Sequence, residues 1–119
     1  PLPGSAPLRF AGGLDPLELE LDIGLLAEGE GRSFRLGTGR YVLVSRVDGA
    51  LRAIDDVCNH GGCKLSDGWR EGRSIVCPCH ALAFDVGDGK LLTPTPLATD
   101  QVTYPVVGDG PVIRLILPG

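Results

Sequence analysis

Cys58-Asn59-His60-Gly61-Gly62-Cys63 and Cys77-Pro78-Cys79-His80 together contain all four cysteines and both histidines of this 119-residue chain, with sixteen residues between His60 and Cys77. Six metal-ligating side chains gathered into C-x-H-x-x-C and C-P-C-H, and absent everywhere else, read as one site built on two facing loops. A thiolate and an imidazole two residues apart can both turn inward only on a tight loop, and Gly61-Gly62 gives the backbone that freedom. Loops of this kind are best held by a rigid β scaffold, with the boxes at hairpin tips.

The flanking sequence agrees. Asp48-Gly49 between Tyr41–Val47 and Ala50–Ile54 is a strong hairpin signal, and that hairpin runs through Asp55-Asp56-Val57 into the first box. Leu65–Trp69 reads as loop and turn, and Arg73–Val76 as a strand entering Cys77. Ala83–Val86 and Lys90–Leu92 around Gly87-Asp88-Gly89 predict a second hairpin. Thr93-Pro94-Thr95-Pro96 is a stiff extended link, because each proline fixes its own φ and restricts its predecessor. Farther out, Leu17–Ile23 alternates apolar and acidic residues as a half-buried strand does. Ser33–Leu36 predicts a short strand before a Gly37-Thr38-Gly39 turn, and Gln101–Val107 and Val112–Leu117 flank Gly108-Asp109-Gly110-Pro111. With 18 glycines and 10 prolines the expectation is all-β.

Composition bounds the function. Hydrophobic residues at 43% and charged residues at 22% suit one globular domain. Fifteen acids against eleven bases, interleaved, leave no basic patch for nucleic acid. No apolar run approaches the roughly 18 residues of a membrane span. No signal peptide is read, although the sequence opens at Pro1 and a leader removed upstream is compatible with it.

Three chemistries compete for the boxes. Structural zinc accepts two cysteines and two histidines but usually spaces them C-x₂₋₄-C and H-x₃₋₅-H. A C-x-x-C redox pair does not fit, because one residue separates Cys77 from Cys79. A [2Fe–2S] cluster in which two histidines replace two cysteines on one iron uses all of C-x-H and C-x-x-H.

The pattern C-x-H…C-x-x-H resembles the Rieske iron–sulfur proteins. The similarity runs over residues 32–117: Gly49–Cys58 into the first box, Leu65-Ser66-Asp67-Gly68 after it, Phe84-Asp85-Val86 and Gly89-Lys90 after the second, and Tyr104-Pro105-Val106 near the end. It implies an all-β, antiparallel Rieske-type sandwich or barrel with a small cluster-binding lobe. Cys58 and Cys77 would bind the inner iron of the cluster, and His60 and His80 the outer iron near the surface. Neutral imidazoles in place of thiolates put such centres at roughly −150 to +300 mV, against about −400 mV for all-cysteine ferredoxins. Free imidazole nitrogens should make the potential fall at alkaline pH.

Cys63 and Cys79 occupy positions that form a disulfide between the cluster loops in the Rieske subunits of cytochrome bc complexes, so the resemblance implies a bridge here. High-potential members carry Gly-Ser after the second box and a Tyr two residues on. Ala81-Leu82 and Phe84 stand there instead, which implies a low-to-intermediate potential and backbone strain at Ala81. Trp69 is read as packing beside the cluster loop in preference to a partner-docking or electron-exit aromatic, Asp55-Asp56 as solvated acids in preference to a patch that attracts a reductase, and Pro94 and Pro96 as either a loop covering the cluster or a plain connector.

The expectation is a flexible arm at residues 1–13 and a Rieske domain at 14–119, its cluster lobe at about 56–96. The expected role is a cytoplasmic one-electron carrier, a ferredoxin between a reductase and a terminal oxidoreductase or oxygenase, with the chemistry on the substrate left to the partner. A Rieske subunit of an exported or membrane-associated oxidoreductase and a zinc-stabilised interaction module are the alternatives.

Overall fold

The structure is a computed structural model describing residues 17–36, 39–59 and 61–117. The arm read at residues 1–13, most of the Gly37-Thr38-Gly39 turn and His60 lie outside them. The described residues form ten strands: β1 (Leu17–Asp22), β2 (Gly31–Arg35), β3 (Tyr41–Val47), β4 (Ala50–Asp55), β5 (Trp69–Glu71), β6 (Ser74–Val76), β7 (Ala83–Asp85), β8 (Thr103–Tyr104), β9 (Val106–Val107) and β10 (Val112–Leu117), with one 3₁₀ turn at Leu65–Asp67. They assemble as three antiparallel sheets, ordered β1-β10-β9, β2-β3-β4-β8 and β5-β6-β7.

β3 explains the layering. Its sequence YVLVSRV is almost continuously apolar, and a strand of that kind has to be covered on both faces. Because successive side chains point to opposite faces, Val42 and Val44 join Leu51 and Ala53 of β4 in a core with Leu19, Leu21, Ile113 and Leu115 of the β1-β10 sheet. Leu43, Val47 and Ile54 face the other way, into a second core with Leu65, Ile75, Phe84 and the cysteines Cys58 and Cys77. The middle sheet is thus shared, and its second face is the floor of the two boxes.

The Asp48-Gly49 turn forms as expected. Asp48 has φ 52° and Gly49 φ 81°, the positive values that a type I′ turn requires. The Glu28 carboxylate accepts hydrogen bonds from both turn amides, at 2.8 and 2.7 Å.

Elsewhere the expected elements are rearranged. Trp69, read as the end of a loop and turn, opens the strand Trp69–Glu71, because this stretch finds Val76, Ile75 and Ser74 as ladder partners. Ala83–Asp85 pairs with β6 and also makes the expected hairpin with Lys90–Leu92, through the Phe84–Leu91 bridge and the Asp85 N–H bond to the Lys90 carbonyl at 2.8 Å. Gln101–Val107 is two short strands in different sheets, β8 on β4 and β9 on β10. Pro105 between them lacks an N–H for a continuous ladder.

Candidate metal centre

The boxes fold into the same local structure. In the first, Cys58 N–H donates to the carbonyl of Cys63 at 2.7 Å, and Gly62 N–H donates to the carbonyl of Cys58 at 3.1 Å. In the second, Cys77 N–H donates to Leu82 at 2.8 Å, and Ala81 N–H donates to Cys77 at 2.9 Å. Each loop therefore runs from a cysteine to the residue five places on and turns at the fourth, where the backbone enters the left-handed region: Gly62 at φ 76° and Ala81 at φ 54°. The strain expected at Ala81 is present. A Val57–Lys64 bridge closes the first loop, and β6 and β7 close the second.

These loops bring Cys58, Cys77 and His80 together, along with Cys63 and Cys79. Cys58 and Cys77 are 2% and 0% exposed and face each other at the bottom. Burial pushes the Cys77 thiol up; the backbone N–H groups of Cys79 and His80 oppose that, and the neighbouring Cys58 thiol adds to it. His80 is exposed at the top. A Cβ added to Gly61 would lie 3.2 Å from His80 Nδ1 and 3.3 Å from Cε1, so the first loop touches the imidazole of the second. Cys63 and Cys79 form a disulfide with Cα atoms 6.3 Å apart, tying the loops. His60 lies outside the described residues, and among those described no group of three or more Cys, His, Asp or Glu is arranged to hold a metal ion.

A third segment is hydrogen-bonded beside both loops. Leu92 N–H donates to the carbonyl of Ala83 at 2.8 Å, and Thr93 Oγ1 accepts from Ala83 N–H at 2.9 Å. Seven residues later, Thr99 N–H donates to Asn59 Oδ1 at 3.1 Å. Residues 92–101 thus span from the second box to the first, with Leu92 and Leu97 exposed at 48% and 66%. Pro94 and Pro96 belong to a loop pinned to both boxes, not to a plain connector.

One reading of a single residue is corrected. Asp56 is buried, not solvated: its carboxylate accepts from Ser33 Oγ at 2.6 Å, Ser66 Oγ at 2.6 Å and Ser66 N–H at 2.8 Å. Trp69 is 48% exposed, with its indole N–H on Glu71 at 3.1 Å, so whatever packing it does is at the surface. Sequence reasoning also passed over Asn59 and Gln101, which hold the first loop. The signal available for Asp56 was Ser66 within the segment after the first box; Gln101 offers none.

The donor set suits an iron–sulfur group: two buried thiols that meet, backbone N–H groups aimed at a cysteine sulfur, and a surface imidazole on the facing loop. The sequence profile of the Rieske [2Fe-2S] domain matches residues 21–105. The chain belongs to the Rieske [2Fe-2S] domain family. The Rieske domain is 47% identical over 68 residues to the ferredoxin component of the naphthalene 1,2-dioxygenase/salicylate 5-hydroxylase systems of Ralstonia sp, covering 57% of this chain and 64% of that protein. The chain thus spans a little under two thirds of that relative. Its fold is similar to that of Sphingomonas yanoikuyae B1 ferredoxin, with TM-score 0.69 and 28% identity over 82% of this chain and 94% of that one. It is similar also to a chain in the complex of reduced oxygenase and oxidized ferredoxin in carbazole 1,9a-dioxygenase, with TM-score 0.70 and 25% identity over 82% and 92%. The group this family carries is a [2Fe–2S] cluster, and the zinc-module reading gives way to it.

Proposed function

We propose that the protein is a one-electron carrier in which Cys58, His60, Cys77 and His80 hold the [2Fe–2S] cluster, at the tip of a domain running from residue 14 to 119. The observation that carries this reading is the pairing of two loops of one geometry, with buried Cys58 and Cys77 below and His80 above. When bound, the cluster supplies reversible one-electron chemistry. The chain's own residues do the rest. Leu82 and Phe84, 6% and 0% exposed, wall the thiols from water. The N–H groups of Cys79 and His80 turn toward the Cys77 sulfur. Neither Leu82 nor Phe84 has a hydroxyl to donate, which supports a low-to-intermediate potential.

Catalysis on a substrate falls to a partner. The relatives named as ferredoxin components support a place between a reductase and a terminal oxygenase. The exposed Leu92 and Leu97 beside the boxes are a suitable apolar rim for such a partner to cover. We place the protein in the cytoplasm; no helix among the described residues is long and apolar enough to cross a membrane. The Cys63–Cys79 bridge, exposed on its Cys79 side, favours the second reading, a subunit of an exported oxidoreductase. Cell fractionation with thiol alkylation separates the two.

The visible absorption and the EPR spectrum of dithionite-reduced protein test the main reading. A red-brown sample with a rhombic signal of low average g is expected. A colourless protein with stoichiometric zinc and no iron overturns it.

A further inference from the structure

Where β8 stops pairing with β4, a side chain takes over the ladder. The last backbone bond of that pair runs from Asp55 N–H to the carbonyl of Val102 at 2.8 Å. Beyond it, Gln101 Nε2 donates to the carbonyls of Asp55 at 2.8 Å and Val57 at 2.9 Å. Gln101 Oε1 accepts from Asn59 N–H at 3.1 Å and from Asn59 Nδ2 at 2.6 Å. Carbonyls only accept and N–H groups only donate, so these partners leave the amide one orientation and use both its donors and both its acceptor sites.

Two of those partners bracket a proposed ligand. The Val57 carbonyl belongs to the peptide preceding Cys58, and the Asn59 N–H to the peptide following it. One amide therefore grips both peptide planes that meet at the Cys58 Cα, which fixes the direction of its thiol. Gln101 is itself immobile: it is 4% exposed, its N–H donates to the carbonyl of Gly89 at 2.8 Å, and a Cβ on Gly89 would lie 2.7 Å from its own carbonyl oxygen. Asn59 is clasped again by Thr99, whose carbonyl accepts from Asn59 Nδ2 at 2.7 Å.

We propose that Gln101 is a positioning residue for the redox centre: its side-chain amide sets the orientation of Cys58 and keeps the Asn59 N–H turned away from the cluster. This rests on the ligand assignment of the proposed function. An apolar side chain could fill the same volume, but it would leave two carbonyls and an amide part-buried without this partner, which draws in water. The freed Asn59 N–H can then turn toward the site. Water and N–H donors near the sulfurs both favour the reduced, more negative state, so the potential rises.

The test uses purified holoprotein carrying Gln101→Leu, Gln101→Glu or Asn59→Ala. Glutamate keeps the shape and the acceptor but loses both donors; alanine at Asn59 removes the outer clasp and is the variant least disruptive to folding. EPR g-values, the midpoint potential and the rate of cluster loss to a chelator are read for each, beside the melting temperature. We expect altered g-values in all three, a raised potential in Gln101→Leu and, to a smaller extent, Asn59→Ala, a lowered potential in Gln101→Glu, which keeps the acceptor for Asn59 and adds a negative charge, and cluster loss about ten-fold faster in Gln101→Leu, the factor that corresponds to one or two net hydrogen bonds. Lower melting temperatures with unchanged g-values and potential would make Gln101 a packing residue and overturn the proposal. A wild-type protein without the rhombic signal would instead remove the ligand assignment, and the proposal with it, before any variant is compared.

Discussion

Ala81 occupies the left-handed region at φ 54° in the turn where the matching position of the first loop is Gly62 at φ 76°. An L-residue there costs roughly 1–2 kcal/mol relative to glycine, partly offset by the chain entropy that glycine loses on folding. Ala81→Gly is accordingly expected to stabilise the fold by about 1 kcal/mol, and Gly62→Ala, which has open space around its Cβ, to destabilise it by a similar amount. Opposite shifts of the urea midpoint at constant slope would verify both. Asp56 makes a larger single-residue contribution. Three donors converge on its buried carboxylate, one from Ser33 and two from Ser66. Asp56→Ala orphans them and should cost about 3 kcal/mol, measured by denaturant unfolding. Its effect should exceed that of Asp67→Ala, whose residue is exposed.

At the scale of elements, the two boxes behave as one unit because the Cys63–Cys79 bridge joins loops that no ladder among the described residues pairs. With a sequence separation of 16, the bridge restricts the unfolded chain modestly. Replacing both cysteines with serine should lower stability by about 3 kcal/mol. The loops are also held by the 92–101 segment, so the double variant is expected to fold and to lose its cluster faster than the wild type under chelator. A double variant as stable as the wild type would mean that this segment alone holds the loops together.

Across the whole molecule, β8 ties the middle sheet to the first core through Tyr104. Its phenol donates to Asp55 Oδ1 at 2.9 Å, while Arg40 pairs with Asp55 Oδ2 at 3.1 Å. Burial, then the hydrogen bond and the charge of Asp55, push Tyr104 up to about 12 from its ordinary 10. A group whose folded value is raised contributes stability that is complete below the unfolded value and disappears as pH climbs through the folded one. Stability from Tyr104 should therefore be whole below pH 10 and decline between 10 and about 12. Tyr104→Phe should cost about 1 kcal/mol at neutral pH, and the gap between variant and wild type should close across that window in melts run at successive pH values.

The sequence by itself determined the all-β class, the Asp48-Gly49 hairpin, the two boxes and their family, because these rest on local turn chemistry, period-two alternation and ligand spacing that no distant contact can change. It also carried the strain at Ala81, a residue standing where glycine is expected. Only the tertiary structure decided that Asp56 is buried, that Trp69 is half exposed and lies in a strand, that Gln101–Val107 serves two sheets, and that Gln101 reaches across to Val57 and Asn59. Each of these depends on what lies opposite in space: Ser33 is 23 positions from Asp56, and Gln101 is 42 from Asn59. At such separations a polar residue's partners leave no local trace, so a buried carboxylate or amide reads in the sequence like any solvated one.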